Sequence, residues 1–419
     1  MEETLPTPSQ PPVSVSSEQA GVTSQLPKRN KKVLLLVLSL VILIGGLAVF
    51  FILGWSNTTR TAQIATTNLP THFSYASEEL QSLARLERPE KVTTRDDLKQ
   101  WEEETYALVA KNKTIDPSKL YAYLSVARRD GLLITRSIYG DFYGDTSSLT
   151  KKILCEFYPD DCASIKVPNT DAFSEKLSDI LLQKVKQRIA EDSAITKNYP
   201  LKNDSKYWYA TPQLGLDAGS YKPWLIDRGD QFRVPENPDF AVQNFQNQLA
   251  QVNNALANIT SEQRKTVIFW AGGPGTKTPP GIWLDIVGKY MSAQEISIEK
   301  YLDTQALLAM AMADSLIGCF DSKYTYQVKR PFMIDPAIKT IMPTPNHPSY
   351  PAGHSCVSSA AATVLDSQLP ENITEWDRLA KEAGDSRVLG GIHYPADNEQ
   401  GTLLGKQVGE YASTRFRQR

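Results

Sequence analysis

The chain has 419 residues, room for one to three domains and a sizeable core. Its 45 Lys and Arg against 47 Asp and Glu give a formal net charge of −2, which lacks the basic surplus of a nucleic-acid-binding protein, so no nucleic-acid partner is expected. Any strong positive field must be local.

Residues 1–32 are rich in Ser, Pro, Thr and Gln and read as a disordered cytoplasmic tail that closes on Lys28-Arg29-Asn30-Lys31-Lys32. The uncharged apolar run 33–55 is long enough to cross a bilayer. It is too long for a signal-peptide core and lacks a small-x-small site at its end. The basic cluster before it keeps the N-terminus in the cytoplasm. The expectation is a single-pass cell-membrane protein with a transmembrane anchor at 33–55, a linker at 56–75 and a helical extracytoplasmic domain at 76–419. An oxidising compartment permits disulfides. Cys155 and Cys162 bracket a polar loop and are expected to bridge. Cys319 and Cys356 read as buried core thiols, with a second bridge as the alternative. No CxxC pair is present, so a zinc site is not expected.

Helical spacing dominates after the linker and period-2 alternation is scarce, so the domain is expected to be all-α. Residues 96–112 carry Leu98, Trp101, Tyr106 and Val109 at helical spacing. Asp116-Pro117 starts a helix through about Arg129. Residues 170–192 form an amphipathic helix with Phe173, Leu177, Ile180, Leu181 and Val185 on one face. Loop-like sequence from about 197 to 238, dense in Pro, Gly, Asp and Trp, is expected to be ordered and packed. A helix over 239–259 follows, and Thr260-Ser261-Glu262-Gln263 has capping-box spacing for the next. Gly272-Gly273-Pro274-Gly275 and Thr278-Pro279-Pro280-Gly281 match no phosphate-loop pattern and read as a connector. Residues 296–327 are helical, with Asp314 marking a buried core helix and not a second membrane span. No internal repeat is visible.

Three segments within 320–400 carry chemistry. Lys323 and Arg330 are seven apart and would share one helix face, with Pro331 ending that helix. Pro351-Ala352-Gly353-His354 precedes a helix over 355–365, so the Gly353 amide would sit at a positive helix start. Ser386-Arg387 is followed by His393 and, four residues on, Asp397. That spacing lets Asp397 hold one ring nitrogen of His393 and free the other. Three cations, an amide, two imidazoles and a carboxylate can bind a tetrahedral oxyanion and perform acid–base or nucleophilic chemistry on it. Of only four histidines, His72, His347, His354 and His393, three fall in or beside these segments.

The pattern Lys-x6-Arg-Pro, Pro-Ala-Gly-His, Ser-Arg-x5-His-x3-Asp resembles the signature of the type 2 phosphatidic acid phosphatase and vanadium haloperoxidase superfamily. A looser likeness to the haloperoxidase-like branch reaches back to about Trp208. The resemblance implies an all-α bundle in which Lys323, Arg330, Arg387 and the Gly353 amide bind oxyanion oxygens. It implies that His393 attacks phosphorus in a phosphatase or ligates vanadate, the metal cofactor, in a haloperoxidase. His354 would then be the proton carrier and Asp397 the residue that orients His393. Ala352 departs from the family's serine and removes one hydroxyl donor, a loss of roughly 0.5–1.5 kcal/mol. His347 stands where bromide-preferring members of that family have histidine, on the halide side. The expectation is therefore a vanadium haloperoxidase-like enzyme acting on halide and peroxide. The alternatives are a phosphatase acting on phosphate esters without a cofactor, and a non-catalytic oxyanion-binding module.

Overall fold

Helices form where apolar residues recur every three or four positions, and among the described residues no strand forms. A computed structural model describes residues 69–418 apart from 115, 141–143, 195–198 and 242–243. The proposed tail, the membrane anchor at 33–55 and most of the linker lie outside the described residues. Among those described, no helix is long and apolar enough to cross a membrane.

The first helices are α1 (Ser77–Ala84), α2 (Arg95–Lys111), α3 (Ser118–Tyr139), α4 (Ser147–Phe157) and α5 (Ala172–Ala194). In α2 the Thr94 hydroxyl accepts from the Asp97 amide, and Asp97 returns a bond to the Thr94 amide, closing a capping box. Helix α3 runs ten residues beyond the expected end at Arg129. A Cβ added at Gly131 there would come 3.2 Å from Leu181 Cδ1 on α5, so the glycine lets the two helices approach closely. The face expected of α5 is buried, with Phe173, Leu181 and Val185 at 1%, 1% and 0% exposure. Each such side chain contributes roughly 1.5–3 kcal/mol of burial. Cys155 and Cys162 are bridged, and Cys319 and Cys356 are free and buried.

The ordered loop at 199–237 is held by carboxylates and aromatics. Asp314 is fully buried and accepts the amides of Trp224, Leu225 and Ile226 at 2.7, 2.7 and 3.0 Å. The helix expected over 239–259 is instead split into a turn at Pro238–Ala241 and α6 (Gln246–Ala257). The break lets Phe240 and Phe245 stack on each other at 5.3 Å and both reach Tyr394. Five-residue spacing would set these rings on different faces of one continuous helix.

Helices α7 (Ser261–Phe269), α8 (Thr278–Ala293) and α9 (Ile298–Tyr326) follow. The Thr260 capping box forms as its spacing predicts. The second Gly/Pro cluster is the first turn of α8, where prolines at the N-terminal positions cost no backbone bond, so the helix starts inside the expected connector. Helix α9 is buried along nearly its whole length and forms the centre of the domain. Beside it pack α10 (Gly353–Gln368) and α12 (Pro395–Arg417), with α11 (Ile373–Leu389) between them in sequence. A Cβ added at Gly401, Gly405 or Gly409 of α12 would come within 2.7 Å of Ala352 O, 2.3 Å of Cys356 O and 2.7 Å of Thr363 Cβ. This strip of glycines, four apart, brings α12 into backbone contact with α10. It sets the start of α10 beside the start of α12, where the second and third segments meet.

Candidate active site

Lys323 and Arg330 reach the same place by a different route from that expected. Helix α9 stops at Tyr326, because Gln327 is left-handed at φ 55°. Such a conformation is unfavourable for a side-chain-bearing residue. Here the Gln327 amide caps Lys323 O at 2.8 Å, and its side chain bonds Pro200 O and Lys202 N. Arg330 then lies in extended chain, and Pro331 begins a short helical turn and does not end α9. Both cations are fully buried. Lys323 Nζ donates to Pro348 O at 2.9 Å and Ser349 O at 2.8 Å, and also to Pro351 O. Arg330 donates to His347 O at 3.1 Å and Ile392 O at 2.8 Å. Its two terminal nitrogens also meet His393 Nε2 at 3.2 Å and His347 Nδ1 at 3.1 Å.

The second segment forms the start of α10. Ala352 is the N-cap and is fully buried, with no side-chain cap bond. The first backbone bond of the helix is Cys356 N to Ala352 O at 3.1 Å. The amides of Gly353, His354 and Ser355 therefore have no intrahelical acceptor and give this end a partial positive charge. A Cβ placed on Gly353 would meet open space, so the approach to these amides is clear. His354 Nε2 lies 2.7 Å from Trp270 O. A carbonyl only accepts, so Nε2 carries the proton and Nδ1 of the neutral ring carries the lone pair.

In the third segment, Arg387 lies in the last turn of α11, fully buried, and bonds Ser386 Oγ at 3.0 Å, Met342 Sδ at 3.0 Å and Val267 O at 3.2 Å. His393 precedes α12, whose N-cap is Tyr394, so the His393–Asp397 pair is part of a helix start and not of a helical face. Asp397 Oδ2 accepts the Tyr394 amide at 3.0 Å and His393 Nδ1 at 2.8 Å. The proton is thereby fixed on Nδ1, and Nε2 presents its lone pair beside Arg330. A bond from Ala352 N to Asp397 O at 2.8 Å joins this segment to the second.

None of the three cations forms an ion pair with a carboxylate among the described residues; every partner is a carbonyl, hydroxyl, thioether or imidazole. Burial lowers Lys323 to about 8, Arg330 to about 10 and Arg387 to about 9. Burial likewise raises Asp397 to about 6. Burial, reinforced by the neighbouring cations, holds His347, His354 and His393 well below the usual histidine range. A group of buried cations with one carboxylate between them requires an anion.

The structure thus brings Lys323, Arg330, His347, Gly353, His354, Arg387, His393 and Asp397 into one neighbourhood. His72 is elsewhere, stacked on Phe416. Sequence reasoning missed Ser349, whose hydroxyl bonds Asp397, and the carbonyls of Val267 and Trp270. Only the small polar residue in Pro348-Ser349-Tyr350-Pro351, directly before Ala352, could have drawn attention to the first. Carbonyls leave no mark in a sequence.

Residues 304–415 match the PAP2 superfamily. The PAP2 segment runs from within α9 to within the last turn of α12 and includes all three chemistry-bearing segments. The chain is 40% identical over 57 residues to a non-specific acid phosphatase of Salmonella typhi, a match covering 14% of this chain and 23% of that protein. The chain therefore matches less than a quarter of the length of that relative. In structure it resembles a bacterial vanadium-dependent iodoperoxidase with TM-score 0.67 and 21% identity, over 79% of this chain and 97% of that one. It also resembles the holo form of a bacterial vanadium-dependent chloroperoxidase with TM-score 0.58 and 11% identity, over 80% and 99% of the two chains. At these identities the structural likeness concerns the fold. Residues 304–415 thus match the PAP2 superfamily, and the structural neighbours share the fold of the chain.

Proposed function

We propose that the chain is a membrane-anchored, extracytoplasmic enzyme that holds vanadate against His393 and oxidises halide with peroxide. The observation that carries this reading is the set of three fully buried cations without carboxylate partners among the described residues, gathered beside the open amide end of α10. The donor set fits a tetrahedral oxyanion such as vanadate: Lys323, Arg330, Arg387 and the Gly353 amide would bind its oxygens, and the Nε2 lone pair of His393 would face it. Vanadate, when bound, supplies the Lewis acidity that activates peroxide. Asp397 holds the proton of His393 on Nδ1. Nδ1 of neutral His354 takes a proton from an incoming peroxide, and Trp270 O keeps that ring in the required tautomer. The ring of His347, anchored by Arg330 and edge-on to Phe320 at 5.2 Å, stands on the halide side.

Phosphate-ester hydrolysis through a phosphohistidine is the second reading, favoured by the acid phosphatase likeness and by the His393–Asp397 bond. In that chemistry Nε2 of His393 attacks phosphorus, and His354, which must first take up a proton at Nδ1 beside the bound anion, gives that proton to the leaving alkoxide as the P–O bond breaks. The anchor at 33–55 is part of the proposal, and the Cys155–Cys162 disulfide supports an oxidising compartment. One purified full-length preparation should be assayed twice: for bromide or iodide oxidation by peroxide with vanadate, and for phosphate-ester hydrolysis without it. Halide oxidation that requires vanadate supports the first reading; hydrolysis alone overturns it in favour of the second.

A further inference from the structure

Ser349 stands outside the three-part signature, yet it joins the first segment to the third and lies two residues before the second. Its carbonyl accepts from Lys323 Nζ at 2.8 Å, and its amide donates to Val328 O at 2.9 Å. Its hydroxyl donates to Asp397 Oδ2 at 2.5 Å and lies 3.4 Å from His393 Nδ1. The residue is fully buried. Oδ2 of Asp397 therefore carries three donors, Ser349 Oγ, His393 Nδ1 and Tyr394 N, while Oδ1 has no partner among the described residues. A carboxylate oxygen shared among three donors is held in one rotamer, and each donor reduces its pull on the others' protons. The prolines on either side, Pro348 and Pro351, restrict the backbone that presents the hydroxyl.

We propose that Ser349 is a positioning residue: its hydroxyl fixes the Asp397 rotamer and limits how far the Nδ1 proton of His393 is shared, so that Nε2 faces the oxyanion site beside Arg330. The inference rests on the site reading above, but its readout does not depend on activity. The chain has only four histidines, so full-length protein labelled with ¹⁵N-histidine gives a simple spectrum, in which His393→Ala identifies the His393 resonance. At one fixed pH, Ser349→Ala should move the His393 Nδ1–H resonance downfield, because Oδ2 then draws the proton more strongly. It should also weaken orthovanadate and phosphate binding about tenfold. Ser349→Thr keeps the hydroxyl and should restore both. A resonance unmoved in folded Ser349→Ala overturns the proposal. If that variant does not fold, Ser349→Cys, a weaker donor of similar shape, decides: a downfield shift is expected, and the wild-type position overturns it. Failure of the wild-type protein to bind either anion would count against the oxyanion-site reading, while the resonance comparison still decides the role of Ser349.

Discussion

Replacing Arg387 with methionine should separate what the fold requires from what the ligand requires. The guanidinium is fully buried and, among the described residues, bonds Ser386 Oγ, Met342 Sδ and Val267 O. These neutral acceptors do not make up for lost hydration. Burial first, and Arg330 second, lower its pKa to about 9. The charged form is therefore disfavoured relative to water by several kcal/mol, on the order of 1.4 kcal/mol for each pKa unit. A bound oxyanion would recover much of that, and an apolar side chain of similar length would not incur it. The Arg387→Met protein without anion should therefore be as stable as the parent, or more so, as when buried ions are exchanged for apolar residues of similar volume. Its affinity for orthovanadate or phosphate should fall by roughly 2–5 kcal/mol, about 30- to 5,000-fold. Calorimetric titration gives the affinity and thermal unfolding gives the stability. A loss of affinity below tenfold, roughly 1.4 kcal/mol, would refute the reasoning. So would a fall in Tm with the affinity intact, since Arg387 would then support the fold and not the anion.

Other tests address single groups. The pH profile of kcat/KM should be bell-shaped. Below about pH 6 Asp397 takes a proton and ceases to hold His393, and above about pH 8 Lys323 loses its charge. A bound dianion favours the charged lysine, so the alkaline limb of kcat should lie above that of kcat/KM; coincident limbs would exclude Lys323 from contact with the anion. Ala352→Ser places a hydroxyl at the N-cap of α10, where it can accept from Ser355 N and donate to the anion. Oxyanion affinity should rise by about 1 kcal/mol, and an unchanged or weaker affinity would mean that the space around Ala352 is already filled. His393→Ala should remove activity and weaken vanadate retention. His354→Ala should lower turnover by about 10²–10⁴-fold with vanadate binding largely kept; the opposite pattern would exchange the two roles.

The chemistry of the site was legible because charged and imidazole side chains stand out in the sequence itself. Three of four histidines fall near Lys323, Arg330, Arg387 and Asp397, and helical periodicity announced an all-α domain. The path by which these residues meet was not legible. Lys323 and Arg330 look like neighbours on one helix face, yet Gln327 turns left-handed between them, stabilised by bonds to Pro200 and Lys202 some 125 residues away in sequence. The break between Phe240 and Phe245 likewise lets both rings meet Tyr394, far along the chain. Local propensity has no access to such partners.

The sequence by itself determined the inventory: helical segments, one carboxylate-oriented histidine and three cations at fixed spacing. It could not determine their surroundings. Only the tertiary structure decided that Lys323, Arg330 and Arg387 are buried together against carbonyls, with no carboxylate of the described chain as ion-pair partner. Burial depends on long-range packing, here on glycines of α12 pressed against α10. The demand for an anion follows from that burial, because the same cations on a surface would be satisfied by water.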